Sequence, residues 1–147
     1  MSTTLLRDRR KEADRRTVAE AVPDASALLA FLRNEPGAED VAAILTRSCM
    51  SAVNLAETIR KMIEYGKPLD DVGHQIDRLR IPVIPFDAEQ AKLVAALWKA
   101  TRVARLSLGD RACLSLGLQK GLPVFTTERA WANVNVGVDG GVIRQED

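Results

Sequence analysis

The sequence contains few of the residues that build several common kinds of functional site. Of its 147 residues, two are cysteines and one, His74, is a histidine. A disulfide framework or a Cys/His zinc site is therefore disfavoured. A serine-histidine mechanism would depend on His74, for which no orienting neighbour is evident. Cys49 and Cys113 stand among apolar residues and are predicted to be reduced core residues.

Long apolar runs and an excess of one charge are also lacking. No stretch approaches the roughly 18 uninterrupted apolar residues of a membrane span, and the first residues show no apolar segment of a secretory signal. A cytoplasmic location is expected. The formal net charge is +1, so any binding of nucleic acid must rely on local basic groups.

The chain has the length and composition of one folded domain. With 46% hydrophobic and 28% charged residues, it falls in the range of globular proteins, and its length allows a core without disulfides or structural metal. Residues 1–20 alternate basic and acidic side chains, which predicts a charged N-terminal arm, either simply solvated or in contact with nucleic-acid phosphates. Residues 21–147 are expected to form the domain.

From Ala21 onward, short apolar runs alternate with amphipathic segments of helical period. This alternation predicts an α/β fold with a mostly parallel sheet. Strands are predicted at 22–25, near Cys49, at 81–86, at 123–126 and within 134–143. Helices are predicted at about 27–34, 39–47, 51–66 and 69–80, from Asp87 onward, and at 107–121.

Two helices are assigned a buried face by the spacing of their apolar residues. In the helix at 51–66, the predicted inward residues are Val53, Ala56, Ile59 and Ile63. In the helix that begins at Asp87, they are Leu93, Val94, Leu97 and Trp98. Such stripes are typical of core packing.

Four carboxylates occupy junctions between strands and helices on this map: Asp24, Glu57, Asp110 and Glu128. In an open parallel sheet these junctions gather at the carboxyl ends of the strands, where such folds bind ligands. Each pair of like charges at about 4 Å repels by roughly 4 kcal/mol at an effective dielectric near 20. A cation must offset that repulsion, and all-oxygen ligands suit Mg²⁺ or Mn²⁺.

Each acid also has a plainer explanation when it is taken alone. Asp24 is a candidate helix cap, Asp110 a candidate partner of Ser107 in a capping box, and Glu128 a candidate exposed loop charge. Glu57 is spaced to pair with Lys61, four residues on. Only the joint placement of the four acids favours a metal site.

Four segments around these acids resemble, in order, the motifs of PIN domains. Residues 22–29 (VPDASALL) resemble the first strand, which ends in Asp-x-Ser/Thr, and residues 51–57 (SAVNLAE) resemble the Ser-x-x-x-x-x-Glu helix start. Residues 106–114 (LSLGDRACL) are similar to the segment of the third acid, and residues 126–131 (TTERAW) to the Thr-x-Asp-Arg-x-Trp ending. The resemblance spans about residues 21–143 and points to the VapC toxins of type II toxin-antitoxin pairs.

This resemblance implies a three-layer α/β/α sandwich with a mostly parallel central sheet, acting as a Mg²⁺- or Mn²⁺-dependent endoribonuclease. It implies that Asp24 and Asp110 bind the metal directly, that Glu57 binds the metal or its water, and that Glu128 acts mostly through water. It also implies an RNA substrate, a VapB-like antitoxin partner and a homodimer.

Further residues receive supporting roles from the same resemblance. Ser26 and Thr126 match hydroxyl positions near the metal, although a local turn explains either one equally well. Arg111 and Arg129 are expected to bind RNA phosphate or to steady a carboxylate, with an ordinary surface charge as the alternative. Trp131 is expected to be a packing residue.

Three positions depart from the family pattern. Glu128 replaces the more frequent aspartate, which moves its carboxylate by about 1.5 Å. Pro23 lacks a backbone N–H, so the first strand is predicted to lose pairing just before Asp24. Arg105 replaces a common glycine at the rim of the site.

Two other functions compete with a metal nuclease. A receiver domain or an aspartyl phosphatase also gathers acids at strand ends, but Ser26 occupies the place of the phosphatase's second aspartate. No lysine directly follows the strand at 123–126, where a receiver domain needs one. The second competitor is an inactive PIN-fold module that binds RNA or antitoxin only; the presence of all four acids argues against it.

Overall fold

The computed structural model of the protein describes residues 19–128 and the backbone of residues 140–142. Its helices are α1 (Ala25–Leu32), α2 (Ala38–Leu45), α3 (Ala52–Glu64), α4 (Leu69–Leu79), α5 (Ala88–Thr101) and α6 (Leu108–Lys120). Its strands are β1 (Val22–Pro23), β2 (Met50–Ser51), β3 (Val83–Ile84), β4 (Val124–Thr126) and β5 (Gly140–Val142). Nearly all of the predicted N-terminal arm and most of the segment 134–143 lie outside the described residues.

The paired strands all run parallel. β1 pairs with β4, β4 pairs with β5, and β2 pairs with β3. An isolated parallel bridge between Ala21 and Ser48 joins β1 to β2, so the strand order is β3-β2-β1-β4-β5. The carboxyl ends of the strands therefore lie at one edge of the sheet, as the sequence pattern predicts.

Pro23 affects one side of β1 only: the predicted loss of pairing before Asp24 occurs toward β2 and does not occur toward β4. Pro23 stays in register with Phe125, and the backbone N–H of Asp24 donates to the carbonyl of Phe125 at 2.9 Å. Pairing toward β2 is limited to the bridge at Ala21. The proline therefore lacks its N–H on the side of the weak β1–β2 contact, while the β4 side keeps its bonds.

Apolar clusters lie on both faces of the sheet, which makes the fold an α/β/α sandwich. One cluster packs α5 and α6 against the strands and contains Val22, Cys49, Leu97, Leu106, Cys113, Leu114, Leu116 and Val124. The other packs α1 and α2 on the opposite face and contains Ala27, Leu28, Val41, Leu45 and Met50. Both cysteines are buried and unpaired by disulfides, as predicted. Among the described residues, no helix combines the length and apolar character needed to cross a membrane.

The buried faces of α3 and α5 differ from the predicted stripes. In α3 the buried residues are Asn54, Thr58 and Met62, whereas Ala56 is exposed and Ile63 is 45% exposed. In α5, Val94 and Leu97 are buried as predicted, together with Gln90 and Thr101, but Trp98 is 51% exposed. Asn54, Thr58, Gln90 and Thr101 can be buried because their side chains form hydrogen bonds. The spacing of apolar residues in the sequence does not predict these bonds.

Candidate active site

Asp24 joins β1 to α1. Its Oδ1 accepts a hydrogen bond from the backbone N–H of Ala27 at 2.9 Å and one from the Ser26 hydroxyl at 2.7 Å. The side chain is therefore the N-cap of α1, which is why the strand ends at Pro23 and not at Ala25, as the apolar run predicts. Only 2% of Asp24 is exposed.

Burial of Asp24 makes its ionised form costly. Desolvation raises the pKa of this carboxyl from 3.8 to about 7, and the charge of Glu128 adds to the rise. Hydrogen bonds from Thr126, Ser26 and Ala27 act in the opposite direction but do not cancel it. At neutral pH the buried acid is thus close to the point where a nearby cation decides its charge.

A hydroxyl network ties the end of β1 to the end of β4. The Ser26 and Thr126 hydroxyl oxygens lie 3.1 Å apart. The backbone N–H of Thr127 donates to Ser26 Oγ at 3.0 Å, and that of Glu128 donates to Thr126 Oγ1 at 3.0 Å. Ser26 and Thr126 thereby hold Asp24 and the chain that carries Glu128 at the same edge of the sheet.

Glu57 is held against the start of α6 by a contact between two helices. The side-chain N–H of buried Asn54, three residues earlier on α3, donates to the carbonyl of Gly109 at 2.9 Å. A β-carbon built on Gly109 would overlap Oε2 of Glu57. The Glu57 carboxylate therefore lies directly on the residue that precedes Asp110, in space that only glycine leaves open. On its other side, Nζ of Lys61 lies 3.7 Å from Oε1 of Glu57.

Asp110 lies in the first turn of α6 and is oriented by Ser107. Its Oδ2 accepts a hydrogen bond from the backbone N–H of Ser107 at 2.8 Å, and its own N–H donates to Ser107 Oγ at 3.2 Å. This is a complete capping box, in which both side chains satisfy backbone donors at the helix start. The carboxylate is fixed close to the Gly109–Glu57 contact.

Glu128 is half-buried and interacts with the other acids. Partial burial raises its pKa, the charges of Asp110 and Glu57 raise it further, and the charge of Lys61 lowers it. Glu128 also raises the pKa of Asp24. The convergence of all four carboxylates on one ion, expected from the strand ends, stays a prediction.

The plainer explanations of the acids hold alongside this clustering. Asp24 caps α1, Asp110 completes a capping box and Glu57 pairs with Lys61. Across residues 19–128, no group of three or more His, Cys, Asp or Glu side chains is arranged as a ready-made metal site. The roles assigned to the acids as metal ligands stay predictions.

The chemistry of the four acids nevertheless fits a hard divalent ion. Capping uses Oδ1 of Asp24 and Oδ2 of Asp110, and a carboxylate has about four acceptor positions. Each aspartate can therefore cap its helix and still ligate an ion. Burial is the main cause of the raised pKa of Asp24 and of Glu128, and a divalent cation beside these carboxylates would lower both pKa values.

Of the two roles predicted for Arg111, the structure does not show the contact with a carboxylate, and the binding of RNA phosphate stays a prediction. Its guanidinium donates to the carbonyl of Leu106 at 2.9 Å, and its Nε is buried without a hydrogen-bond partner among the described atoms. The side chain therefore braces the loop that enters α6. Arg129 and Trp131 lie outside the described residues.

Sequence reasoning missed Asn54 and Gly109, which together position Glu57. The available signal was a polar side chain one helical turn before Glu57, on the same face of α3. Apolar periodicity assigns no burial to an asparagine, so this signal was not used.

Comparison with known proteins identifies the family. The profile of the PIN domain family matches residues 21–137. Among curated proteins, none matches the chain. The chain also resembles solved structures. Because the sequence identities are low, this likeness shows a shared fold and nothing more. One is a toxin-antitoxin complex from Klebsiella pneumoniae, with a TM-score of 0.61 and 17% identity over 78% of this chain and 92% of that one.

Two further solved structures have a similar fold. A DNA-bound VapBC from Salmonella typhimurium has a TM-score of 0.62 and 16% identity, over 84% of this chain and 97% of that one. VapBC-5 from Mycobacterium tuberculosis has a TM-score of 0.57 and 23% identity, over 86% and 98%. With a family profile that covers most of its length and a fold of parallel strands shared with these structures, the chain belongs to the PIN domain family.

Proposed function

We propose that this PIN domain is a Mg²⁺- or Mn²⁺-dependent endoribonuclease and the toxin of a VapBC-type pair. The observation that carries the proposal is the hydroxyl network that joins buried Asp24 at the end of β1 to Thr126 and to the backbone N–H of Glu128 at the end of β4. Asp24 and Asp110 would bind the ion directly, Glu57 would bind it or its water, and Glu128 would act through water. When bound, such an ion supplies Lewis acidity toward a water molecule and the phosphoryl oxygens.

The chain's own residues contribute positioning. Ser26 and the N–H of Ala27 fix one oxygen of Asp24, and Ser107 fixes one oxygen of Asp110. Asn54 holds the start of α6 against α3, so that Glu57 lies on Gly109, the residue before Asp110. Preorganised ligands of this kind remain in place as charge develops on the phosphate.

An RNA substrate, a VapB-like antitoxin and a second copy of the chain are the proposed partners. The support is the fold shared with structures described as toxin-antitoxin and VapBC complexes. The alternative is an inactive module that acts by binding alone. Incubation of the purified protein with single-stranded RNA, with Mg²⁺ or with EDTA, separates the two: the nuclease cleaves only with the metal, and the binding module cleaves in neither condition.

Gly109→Ala is expected to impair activity without harming the fold. The new β-carbon must displace the carboxylate of Glu57, so we expect metal affinity and cleavage to fall by roughly 10–100-fold, the range for changes around metal ligands. Stability should change little, because the atom that the new β-carbon meets first is the far end of the flexible Glu57 side chain. Titration with Mn²⁺ and thermal unfolding measure the two effects.

Gly73→Ala is the matched control, since this glycine also lies in a helix and no atom lies within 4 Å of the added β-carbon. It should leave both metal affinity and cleavage unchanged. Equal metal affinity in the two variants would contradict the proposed role of Glu57.

Metal affinity is expected to fall as the solution becomes acidic. The pKa of Asp24 is about 7 without metal, so below that pH a proton competes with the ion for the carboxylate. The expected loss is about tenfold for each pH unit below 7, and the raised pKa of Glu128 acts in the same direction. Calorimetric titration with Mn²⁺ at pH 8 and pH 6 measures this; the same affinity at both would sink the prediction.

A further inference from the structure

Positive charge is concentrated in the chain that leads into α6. Between Glu89 and Asp110 the sequence has four basic residues and no acidic one, although the net charge of the whole chain is only +1. Three of the four, Lys99, Arg102 and Arg105, lie in the last turn of α5 and in the turn that follows it. These three side chains are called the cationic patch below. A nearly neutral protein can attract a polyanion only through a local excess of this kind.

The cations of the patch are exposed and available to a ligand. All three residues are exposed, and none of them forms an ion pair with a carboxylate among residues 19–128. In contrast, Arg33, Arg47 and Arg60 each pair with a glutamate. The guanidinium of Arg102 lies 5.5 Å from the centre of the Trp98 ring, a cation–π contact that leaves its N–H donors open to an anion.

The patch lies close to one of the proposed metal ligands. Ser107, two residues after Arg105, donates its backbone N–H to Oδ2 of Asp110 at 2.8 Å. Two residues of chain span at most about 7 Å, so the backbone of Arg105 lies within about 10 Å of this carboxylate.

The start of α6 also contacts the strand that carries Asp24. Sγ of Cys113 lies 3.6 Å from the carbonyl oxygen of Val22, two residues before Asp24. Because α6 ends just before β4 begins, its end lies at the amino edge of the parallel sheet and its start lies toward the carboxyl edge. The patch and the acids are therefore near enough for one RNA strand to reach both.

Phosphate is the ligand that best complements the patch. The proposed metal site consists of acidic residues, so without a cation it repels the RNA backbone. Arginine guanidinium groups bind phosphate through paired N–H donors, and the lysine ammonium adds a point charge. The patch thus supplies the attraction that the acids lack.

We propose that Lys99, Arg102 and Arg105 bind phosphates of a single-stranded RNA that passes over the start of α6 to the acids. The inference rests on the proposed nuclease function for its biological meaning. The patch contributes affinity and orientation but no base preference, because phosphate contacts carry no sequence information.

The test measures how salt affects the binding of oligouridine in EDTA, by fluorescence anisotropy between about 50 and 200 mM salt. The test variant combines Arg102→Gln with Arg105→Gly. Arg105 has a φ of 55°, which glycine adopts freely, so the turn is kept. We expect the affinity at low salt to fall roughly tenfold. The slope of log affinity against log salt concentration should flatten by roughly 0.7 for each arginine, the value for one phosphate of a single strand.

Arg78→Gln combined with Arg80→Gly is the matched control, since it makes the same two changes at the end of α4. Both arginines are exposed, and Arg80 also has a left-handed backbone, with a φ of 52°. It precedes β3 and so lies at the amino edge of the sheet. Val103→Ser changes the turn of the patch without changing its charge, at a residue that is 86% exposed. Both controls should keep the affinity and the salt slope of the unaltered protein, because salt screens distant charges.

An unchanged slope in the test variant, or an equal loss of affinity in the matched control, would overturn the proposal. The exposed side chains of Val103 and Leu108 would then favour a protein partner for this surface. In Mg²⁺, the test variant should raise the KM for RNA cleavage roughly tenfold with kcat unchanged, as for a contact made equally before and during the reaction.

Because the titrations contain no metal, they report on the patch independently of cleavage. A flattened slope in a protein that shows no Mg²⁺-dependent cleavage would keep the RNA-binding patch and remove the nuclease. Mg²⁺-dependent cleavage with an unchanged slope in the test variant would remove the patch and keep the nuclease.

Discussion

Asp24→Asn and Asp110→Asn are each expected to reduce Mg²⁺-dependent RNA cleavage at least roughly 100-fold, since loss of a metal ligand should exceed the loss seen for groups around it. The amide keeps one oxygen and the size of the carboxylate but carries no charge. In Asp24→Asn that oxygen can still accept from Ala27 N–H and from Ser26 Oγ. The α1 cap is therefore kept, because asparagine caps helices as well as aspartate does.

Asp87→Asn provides the matched control for this pair. Asp87 caps α5 in the same manner, accepting from the backbone N–H of Gln90 at 2.9 Å, but it is not one of the four acids. The Asp87→Asn variant should cleave RNA at the rate of the unaltered protein, as measured with a labelled RNA in Mg²⁺. Cleavage that persists in both Asp24→Asn and Asp110→Asn would refute the metal-nuclease proposal.

Asp24→Asn is also expected to stabilise the metal-free protein near neutral pH, by as much as roughly 4 kcal/mol. The pKa of Asp24 is about 7 in the folded chain against 3.8 for the ordinary group, and each unit corresponds to about 1.36 kcal/mol. Because the folded pKa is the higher one, the folded state holds the proton more tightly. The stability that this proton contributes is fully present below about pH 4 and is lost as the pH rises through 7.

Urea unfolding in EDTA between pH 4 and pH 8 measures this effect. The free energy of unfolding of the unaltered protein should fall across that range relative to Asp24→Asn, and the gap should be widest at pH 8. Adding Mg²⁺ at pH 8 should raise the stability of the unaltered protein and have little effect on the variant. If the difference in the free energy of unfolding between the two proteins were the same at every pH, the charge of Asp24 would not destabilise the folded protein.

The elements that could be predicted from sequence are those set by local rules. Helices were predicted to start at Ser51, Asp87 and Ser107, and in the structure each of these residues is the N-cap of a helix. The parallel pairing was also predicted, and it puts the carboxyl end of each strand at the same edge of the sheet. The PIN-like motifs point to the same four acids as the strand ends, and their convergence on a metal stays a prediction.

What could not be predicted depends on contacts between distant segments. Asn54 is buried because the carbonyl of Gly109, 55 residues away, accepts from it, and periodicity cannot reveal such a partner. The pairing of Tyr65 with Arg33 likewise depends on how α1 and α3 pack. For the same reason the outward position of Ile63 was not foreseen.

Asp24 and Asp110 each help to begin a helix as well as being proposed metal ligands. Their presence in a related chain is therefore not a sign that the chain is an active nuclease. Alanine at position 24 would remove the N-cap of α1, and alanine at position 110 would remove one half of the capping box of α6; loss of a cap typically lowers stability by about 0.5–2 kcal/mol. A relative that had abandoned catalysis would still be selected to keep both residues as part of its scaffold. Glu57 lies within α3, and among the described cations it pairs only with Lys61, whose side chain is 31% exposed. The stability of the fold therefore depends little on Glu57. In a related chain that has lost nuclease activity, we therefore expect Glu57 to be replaced before Asp24 or Asp110.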